Sequence, residues 1–260
     1  MKQKNKILIH SEFDGICKLT LNRPKAHNAL SYDLLLEISN ALTNIKKNKR
    51  VKVLIIDSNG PSFCSGHDLK EINSKNDKAS YKKLFSLCSS VMLAIIKLDI
   101  PVIASVHSTA TAAGCQLVAT CDLAIASDKA RFATPGVNIG LFCSTPMVAL
   151  SRNISKKHSM EMLLTGDLID ALTAKEYGLI NRVVPDKDLN DTVLEIAKKI
   201  LKKSSKTIAI GKKAFYKQLE LGVSEAYKFT SEIMTNNMTE YNAQEGVDAF
   251  LQKRSPVWKD

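Results

Sequence analysis

Aromatic side chains are scarce in this sequence: they make up 6% of its 260 residues and include a single tryptophan. No apolar run approaches the roughly 18 residues that a membrane-spanning helix needs. The N-terminal segment MKQKNKILIH has neither the apolar stretch of a secretory signal nor the Arg- and Ser-rich character of a transit peptide. We therefore expect an intracellular protein without a membrane partner. The cytoplasm is favoured, and the mitochondrial matrix is the other compartment that these features allow.

The six cysteines include no C-x-x-C pair, and most of them lie among apolar residues. This distribution favours free thiols that pack as small apolar groups. The five histidines show no metal-ligand spacing, so the sequence predicts no metal.

Negative charge is also in short supply: the net charge is +11 and the pI is near 9.3. A lysine-rich, solvated surface explains this excess most simply, and an anionic partner is the functional alternative. The sequence contains neither a Gly-rich phosphate loop nor an aromatic-studded basic strand, which makes nucleic acid a weaker hypothesis. A phosphorylated small molecule is the better specific partner.

Alternating or short apolar runs predict β-strands, and apolar residues at helical spacing predict α-helices. The predicted strands cover 7–10, 16–21, 52–57, 101–106, 122–127 and 178–184. The predicted helices include one that begins after Ser31, 79–98, 112–120, 188–202, 207–221, 224–236 and 239–252. Because helices alone follow the mixed region, the sequence predicts an α/β core over 1–190 and a helical C-terminal lobe over 191–260.

Residues 111–122, TAAGCQLVATCD, have small side chains up to Gly114, as expected where a backbone approaches something closely. The first polar side chain after this turn is Gln116. An amide donates and accepts hydrogen bonds but takes up no proton near neutral pH. The segment therefore offers binding geometry without an acid or base.

Six stretches of the sequence resemble the crotonase superfamily, which has the enoyl-CoA hydratase/isomerase fold. They span nearly the whole chain and follow one another in the family's order. They are NRPKAHNAL (22–30), FCSGHDLK (63–70), PVIASVHSTATAAGCQLVATCDLAIAS (101–127), RFATPGVNIGL (131–141), LLTGDLIDALTAKEYGLINRVV (163–184) and EGVDAFLQKRSPVW (245–258). The finer pattern, which includes GHDLK and FATPGVNIGLFCSTP, is that of a divergent branch.

The resemblance implies an α/β fold, a crotonase-like spiral of ββα units in two near-perpendicular sheets, with C-terminal helices that form a homotrimer or hexamer. It also implies an acyl-CoA substrate of fatty acid metabolism and no cofactor other than coenzyme A as part of that substrate. The two backbone N–H groups of the family's oxyanion hole fall on His67 and Ala113. Both residues keep the N–H, although the Cβ of Ala113 restricts the backbone conformation more than glycine would.

The family's two catalytic glutamates fall on Gln116 and Gly136, and the aspartate of dienoyl-CoA isomerases falls near Ser144. None of these is an acid, and loss of a general acid or base costs roughly 10²–10⁴ in rate. We expect a hydratase-like lyase or isomerase in which hydration is weak or absent. The alternatives are a non-catalytic acyl-CoA-binding protein and another enolate reaction, decarboxylation or thioester hydrolysis.

Side chains near the presumed site offer few substitutes for the lost glutamates. His67 titrates in a useful range, but a ring that merely packs is the simpler interpretation. Asp68 is expected to bind backbone N–H groups of its own loop. Cys64, Cys143 and Ser144 act as nucleophiles only beside a base, so packing is favoured for all three.

The resemblance places the CoA-binding residues on several segments. Lys25, Ala26 and His27 fall on the loop that passes the nucleotide, and Asp68, Leu69 and Lys70 follow the first oxyanion residue. Gly114 would permit close approach of a ligand. Phe250 and Lys253 fall where a neighbouring subunit's last helix meets the adenine and phosphates.

Overall fold

The computed structural model describes residues 6–259. Its strands in chain order are Leu8–Phe13 (β1), Ile16–Leu21 (β2), Val53–Ser58 (β3), Val102–Val106 (β4), Ala110–Thr111 (β5), Leu123–Ser127 (β6), Arg131–Ala133 (β7), Ile169–Asp170 (β8) and Arg182–Val184 (β9). Within the described range they form a six-stranded sheet, β1-β2-β3-β4-β6-β9, and a three-stranded sheet, β5-β7-β8. Only the pairs β1/β2 and β7/β8 are antiparallel among those described.

The β1–β2 hairpin turns at Asp14 and Gly15, which both have positive φ angles, 47° and 79°. Two consecutive residues of this kind suit the right-handed twist of a tight hairpin, and Asp-Gly is a preferred pair for it. The predicted hairpin is confirmed. Its register places Glu12 opposite Cys17 and His10 opposite Leu19.

The helices in chain order are Tyr32–Lys47 (α1), Leu69–Lys75 (α2), Lys78–Ile96 (α3), Ala113–Thr120 (α4), Pro146–Asn153 (α5), Lys156–Thr165 (α6), Ala171–Glu176 (α7), Leu189–Leu201 (α8), Ser205–Gln218 (α9), Val223–Met238 (α10) and Tyr241–Leu251 (α11). The Ser31 side chain accepts a hydrogen bond from the Leu34 N–H, which confirms it as the N-cap of α1. The predicted long helices are confirmed within a few residues at each end.

The larger sheet is covered on both faces, as its parallel strands require. One face packs on the main core with α1, α3 and α4, and alternate residues such as Leu19, Leu54 and Ile56 point into it. The other face packs on α8 through a smaller cluster. That cluster contains Ile16, Val53, Ile55, Ile103 and Ile125 of the strands with Leu189, Val193 and Ala197 of α8.

The last three helices bury little of their own surface. The buried residues of α9–α11 are Ala214, Asn242 and Ala249. Many large apolar side chains there are exposed: Phe215, Leu219, Val223, Tyr227, Met234, Met238, Tyr241, Val247, Phe250 and Leu251. The predicted division at residue 190 falls at the start of α8, whereas the change from core-covering to exposed helices comes after α8.

Helix α3 is long enough and apolar enough, by length and composition alone, to cross a membrane. Five of its side chains nevertheless lie in the main core: Leu84, Cys88, Val91, Met92 and Ile95. A single apolar face turned inward is typical of a helix that covers a core. The expected lack of a membrane partner stays a prediction.

The residue pattern does not locate helix α2 or the strands of the small sheet, although the resemblance implies a second sheet. Helix α2 occupies residues for which the pattern predicts no element, and it begins because Asp68 accepts hydrogen bonds from the Lys70 and Glu71 N–H groups. The small sheet consists of strands of two or three residues, which are too short to give a periodic signal.

Candidate active site

Two loop segments lie against each other where the resemblance places the oxyanion hole. Phe63 N–H donates to the Thr109 carbonyl at 2.9 Å, and Thr111 N–H donates to the Cys64 carbonyl at 2.9 Å. Gly66, with φ of +95°, lies so close to the start of α4 that a Cβ added to it would be 3.3 Å from the Ala113 nitrogen. His67 and Ala113 are therefore neighbours in space, although 46 positions separate 67 from 113 in the sequence.

Neither backbone N–H of this pair has an acceptor among residues 6–259. The amides around them are occupied: Asp68 N–H donates to Leu30 O at 3.4 Å, and Ala112 N–H donates to Ala133 O at 2.9 Å. Ala113 is fully buried at the start of α4. Because buried amides almost always have a partner, the unpaired N–H of buried Ala113 beside that of partly buried His67 indicates a place for an external acceptor.

Backbone strain at this site lies at Ala112, one residue before the position where the sequence predicts it. Ala112 has φ 50° and ψ −118°, while Ala113 begins α4 without a positive φ. Hydrogen bonds hold Ala112 on both sides, from its N–H to Ala133 O and from Gln116 N–H to its own carbonyl at 3.0 Å. Such a conformation costs about 1–3 kcal/mol and is found mainly at functional sites.

Gly114 brings two backbones together in this structure. A Cβ at this position would lie 2.1 Å from the Cys64 carbonyl oxygen. The glycine therefore allows the first turn of α4 to pack directly on the loop that carries His67.

Gln116, where the resemblance places the family's first glutamate, lies one turn along α4 from Ala113. Its side chain is buried, with 5% exposure, and its Oε1 atom has no hydrogen-bond partner in the described part of the chain. Every residue of α4 is buried. The amide is thus held in a dry environment with an unused acceptor.

Gly136, where the resemblance places the second glutamate, lies in a 3₁₀ helix over Pro135–Ile139. A Cβ there would lie 2.5 Å from the Leu141 carbonyl oxygen and 2.9 Å from Cys143 Sγ. Leu141 N–H also donates to the Gly136 carbonyl at 2.9 Å. The loop that follows Gly136 has therefore closed over the space that a larger residue would need.

The His67 ring packs edge-on against Phe85 of α3, with 5.1 Å between ring centroids. Its Nε2 atom is buried and has no partner among the described residues. Burial lowers the pKa of His67 to about 4, and the nearby Glu71 carboxylate only partly opposes this effect. The ring is therefore neutral at pH 7 and too weakly basic for efficient proton abstraction.

The other candidate groups have structural roles. Burial opposes ionisation of Asp68, but hydrogen bonds from Arg23 and from the Glu71 and Lys70 amides hold its pKa below the ordinary value. Burial raises the pKa of Cys64 to about 12 and also raises that of Cys143. The Ser144 hydroxyl donates to the Phe142 carbonyl. All six cysteines are free and buried, as predicted.

The loop predicted to pass coenzyme A lies beside the His67 loop. Pro24–Ala26 form a 3₁₀ helix, and Ser65 N–H donates to the His27 carbonyl at 3.1 Å. The His27 ring lies 2.9 Å from the Ser62 hydroxyl. Lys25 is exposed here, as are Leu69 and Lys70 at the start of α2.

Phe250 and Lys253 lie far along the chain on and after α11, which packs against α9 and α10. Phe250 is 82% exposed and borders a groove of about 450 Å³ with Trp258. Within one protomer, these two residues are thus part of the exposed C-terminal helices rather than of the loops around His67.

Comparisons with known proteins agree with this architecture. The family model for enoyl-CoA hydratase/isomerase matches residues 11–260. The rat protein "Enoyl-CoA hydratase domain-containing protein 3, mitochondrial" is 47% identical over 245 residues, which cover 94% of this chain and 82% of that protein. The names of the rat protein and of its human and Xenopus laevis counterparts state a mitochondrial location, so the comparisons do not support the cytoplasmic expectation.

Two solved structures have nearly the same fold. An enoyl-CoA hydratase of Mycobacterium smegmatis has a TM-score of 0.96 and 47% identity, over 98% of this chain and 99% of that chain. Human enoyl-CoA hydratase domain-containing protein 3 has a TM-score of 0.95 and 45% identity, over 97% and 100%. The crotonase-like α/β fold and the predicted divergent branch are confirmed. The chain belongs to the enoyl-CoA hydratase/isomerase family of the crotonase superfamily.

Proposed function

We propose that the protein binds an acyl-CoA thioester and stabilises its enolate through the backbone N–H groups of His67 and Ala113. The observation that supports this most directly is the pair of adjacent amides without an acceptor in the described chain. Negative charge accumulates on the thioester oxygen when an enolate forms. A preorganised donor at such an oxygen typically contributes a factor of roughly 10² or more in rate.

The reaction at this site is restricted by its neutral side chains. Gln116 and Gly136 supply no carboxylate, and His67 is a weak base because its pKa is about 4. Hydration of a 2-enoyl-CoA, the activity of a lyase in fatty acid metabolism, is therefore slow or absent. Isomerisation, decarboxylation and thioester hydrolysis remain candidate enolate reactions, and acyl-CoA binding without turnover is the second function that these side chains favour.

Coenzyme A would lie along the loop of Lys25, Ala26 and His27, because this loop contacts the His67 loop directly. The exposed lysines Lys25 and Lys70 would offer positive charge to its phosphates. In an assembly, Phe250 and Lys253 of a neighbouring copy would complete the nucleotide site.

A homotrimer or hexamer is the assembly that we propose, with α9–α11 at the interface. Val223, Tyr227, Met234 and Met238 recur at helical spacing on α10, and each is at least 44% exposed in one protomer. Double substitution Tyr227→Asp with Met234→Asp should convert the assembly into 28.6 kDa monomers in light scattering after size exclusion. Asn236→Asp, on the opposite face of α10, is the control. A monomeric wild-type protein would contradict the proposal.

The oxyanion hole is tested best at Ala113, the first residue of α4. Proline is tolerated at a first helical position, where it removes the N–H and adds a ring beside Ala112. Ala113→Pro should lower turnover, or weaken acyl-CoA binding, by at least tenfold, while Ala113→Gly keeps the donor and the function. Circular dichroism checks folding of both variants.

A measurement on the wild-type protein supports this test if Ala113→Pro misfolds. Hydrogen bonds from two amides weaken the thioester C=O bond, so its infrared stretch should shift to lower frequency when an isotope-labelled acyl-CoA binds. An unshifted band in a saturated complex would contradict the proposed hole.

Activity itself is tested by assays on a panel of acyl-CoA thioesters, with Gln116→Glu beside the wild type. If the missing carboxylate limits hydration, this variant should hydrate a 2-enoyl-CoA at least tenfold faster. Binding in calorimetry without turnover of any thioester would favour the non-catalytic function. The names of the relatives state a mitochondrial location. The mitochondrial matrix is therefore the compartment that we propose, and fractionation of the native cell checks it.

A further inference from the structure

Three side chains that the proposed function does not use converge on the β1–β2 hairpin. His10 Nε2 lies 3.0 Å from Glu12 Oε1 and 3.1 Å from Cys17 Sγ, and the three atoms all lie within 4.8 Å of one another. The spacing of these three residues along the sequence does not predict a metal site. The antiparallel register creates the cluster, because Glu12 pairs with Cys17 and His10 lies two residues before Glu12 on the same face.

We propose that His10, Glu12 and Cys17 form a binding site for a divalent transition-metal ion of the zinc type. Imidazole, carboxylate and thiolate are the ligands that zinc prefers. Bonds of about 2.0–2.3 Å from a central ion place tetrahedral ligand atoms roughly 3.3–3.6 Å apart. The two distances from His10 Nε2 therefore need to open by only a few tenths of an ångström, while the separation of Glu12 and Cys17, within 4.8 Å, adjusts to the same range. Water would fill the fourth position.

The hydrogen-bonding chemistry of the cluster also favours a cation. The His10 Nε2 atom faces both Glu12 Oε1 and Cys17 Sγ, yet it carries at most one hydrogen, which points at one of them. A metal ion accepts lone pairs from all three atoms at once. Thiolate and carboxylate together carry charge −2, which a divalent ion neutralises.

Glu12 is already oriented by a neighbouring residue. The Asn48 side chain, at the C-terminal end of α1, donates from Nδ2 to Glu12 Oε2 at 3.0 Å. Asn48 is fixed in turn, since its Oδ1 accepts from the Arg50 N–H at 3.1 Å. The other carboxylate oxygen, Oε1, is thereby left facing His10. Outer groups of this kind orient metal ligands and strengthen binding roughly 10–100-fold.

Access and protonation set the conditions for binding. Cys17 is fully buried, but the side chains of His10 and Glu12 above it are 40% and 35% exposed and can separate to admit an ion. Burial, and then the Glu12 charge, raises the pKa of Cys17 to about 12. Metal binding therefore has to displace the thiol proton: one S–H bond breaks, one sulfur–metal bond forms, and one proton passes to solvent.

Co²⁺ added to the reduced, metal-free full-length protein is the direct probe, because a cobalt–thiolate bond gives a near-ultraviolet charge-transfer band. The wild type should show this band and release one proton per ion, and Zn²⁺ should displace the cobalt. Cys17→Ser should abolish the band. His10→Ala should weaken affinity at least tenfold, and Asn48→Ala about tenfold.

Glu37→Gln is the matched control for Glu12→Gln, because Glu37 is an exposed carboxylate on α1. It should leave the affinity unchanged, while Glu12→Gln weakens it at least tenfold. A wild type without the thiolate band overturns the site. Persistence of the band in folded Cys17→Ser also overturns it, since the metal then binds another cysteine.

Discussion

The sheet core and the C-terminal helices differ in where their apolar side chains go. All five residues of β4 are buried, and so is every residue of α4. Helix α10, by contrast, buries none of its residues in one protomer. The core thus completes its own packing, whereas the C-terminal helices leave apolar surface exposed, as the proposed assembly requires.

The two regions are joined by a buried ion pair. Lys212 of α9 lies 2.6 Å from Asp122, which follows α4, and also donates to the Ile95 and Ile100 carbonyls. Asp122 accepts further hydrogen bonds from the Tyr216 hydroxyl and the Val102 N–H. This network attaches α9 to the part of the core that carries the site.

Breaking that connection should cause the largest loss of stability among the changes predicted below. Lys212→Ala leaves Asp122 without its buried cation and should lower the free energy of unfolding by about 3–5 kcal/mol in urea titration. Lys213→Ala is the matched control, because Lys213 is 62% exposed and pairs with Asp99 at the surface. Similar losses in both variants would show that the regions are not joined through Lys212.

Glycine-to-alanine substitutions should have the next largest effect on stability, and the direction of the change should differ between the two regions. Gly114→Ala places a methyl group 2.1 Å from the Cys64 carbonyl oxygen, and we expect a loss of about 3 kcal/mol. Gly211 in α9 has no atom within 4 Å of an added Cβ. Gly211→Ala should therefore stabilise the protein by roughly 0.5–1 kcal/mol through helix propensity. If chemical denaturation showed the free energy of unfolding changing in the same direction in both variants, the contrast between the two regions would be contradicted.

The stability of the core should depend on His67 in mild acid. Its pKa is about 4 in the folded protein, below the ordinary 6.5, so the unfolded chain takes up the proton first as pH falls. Stability should drop between about pH 6.5 and pH 4, by at most about 3 kcal/mol. His67→Leu should flatten this part of the pH profile, while His27→Gln, a change at an exposed ring, should leave it in place.

The smallest effect on stability should come from the two alanines at the start of α4, the N-cap Ala112 and the first helical residue Ala113. Ala112→Gly removes the strain of a positive φ and should stabilise the protein by about 1 kcal/mol. Ala113→Gly places glycine in a helix and should destabilise it by roughly 0.5–1 kcal/mol. Thermal unfolding should give opposite signs, and the same sign for both would mean that Ala112 is not strained.

Features that depend on one continuous segment were predictable from the sequence. The Asp14-Gly15 turn, the Ser31 cap and the buried runs of β3 and β4 each follow from local chemistry. The candidate site was less accessible, because its decisive distances join segments far apart in the chain. No spacing rule gives the contact between Gly66 and Ala112, and none shows that the strain falls on Ala112 instead of Ala113.

Gly136 has a consequence for how this lineage can change. A glutamate there would collide with the Leu141 carbonyl, which belongs to the backbone and cannot rotate away. A glutamate at position 136 thus becomes tolerable only after residues 137–143 are rebuilt. Selection acting one codon at a time meets a barrier at this point, and new activities would evolve more readily around Gln116.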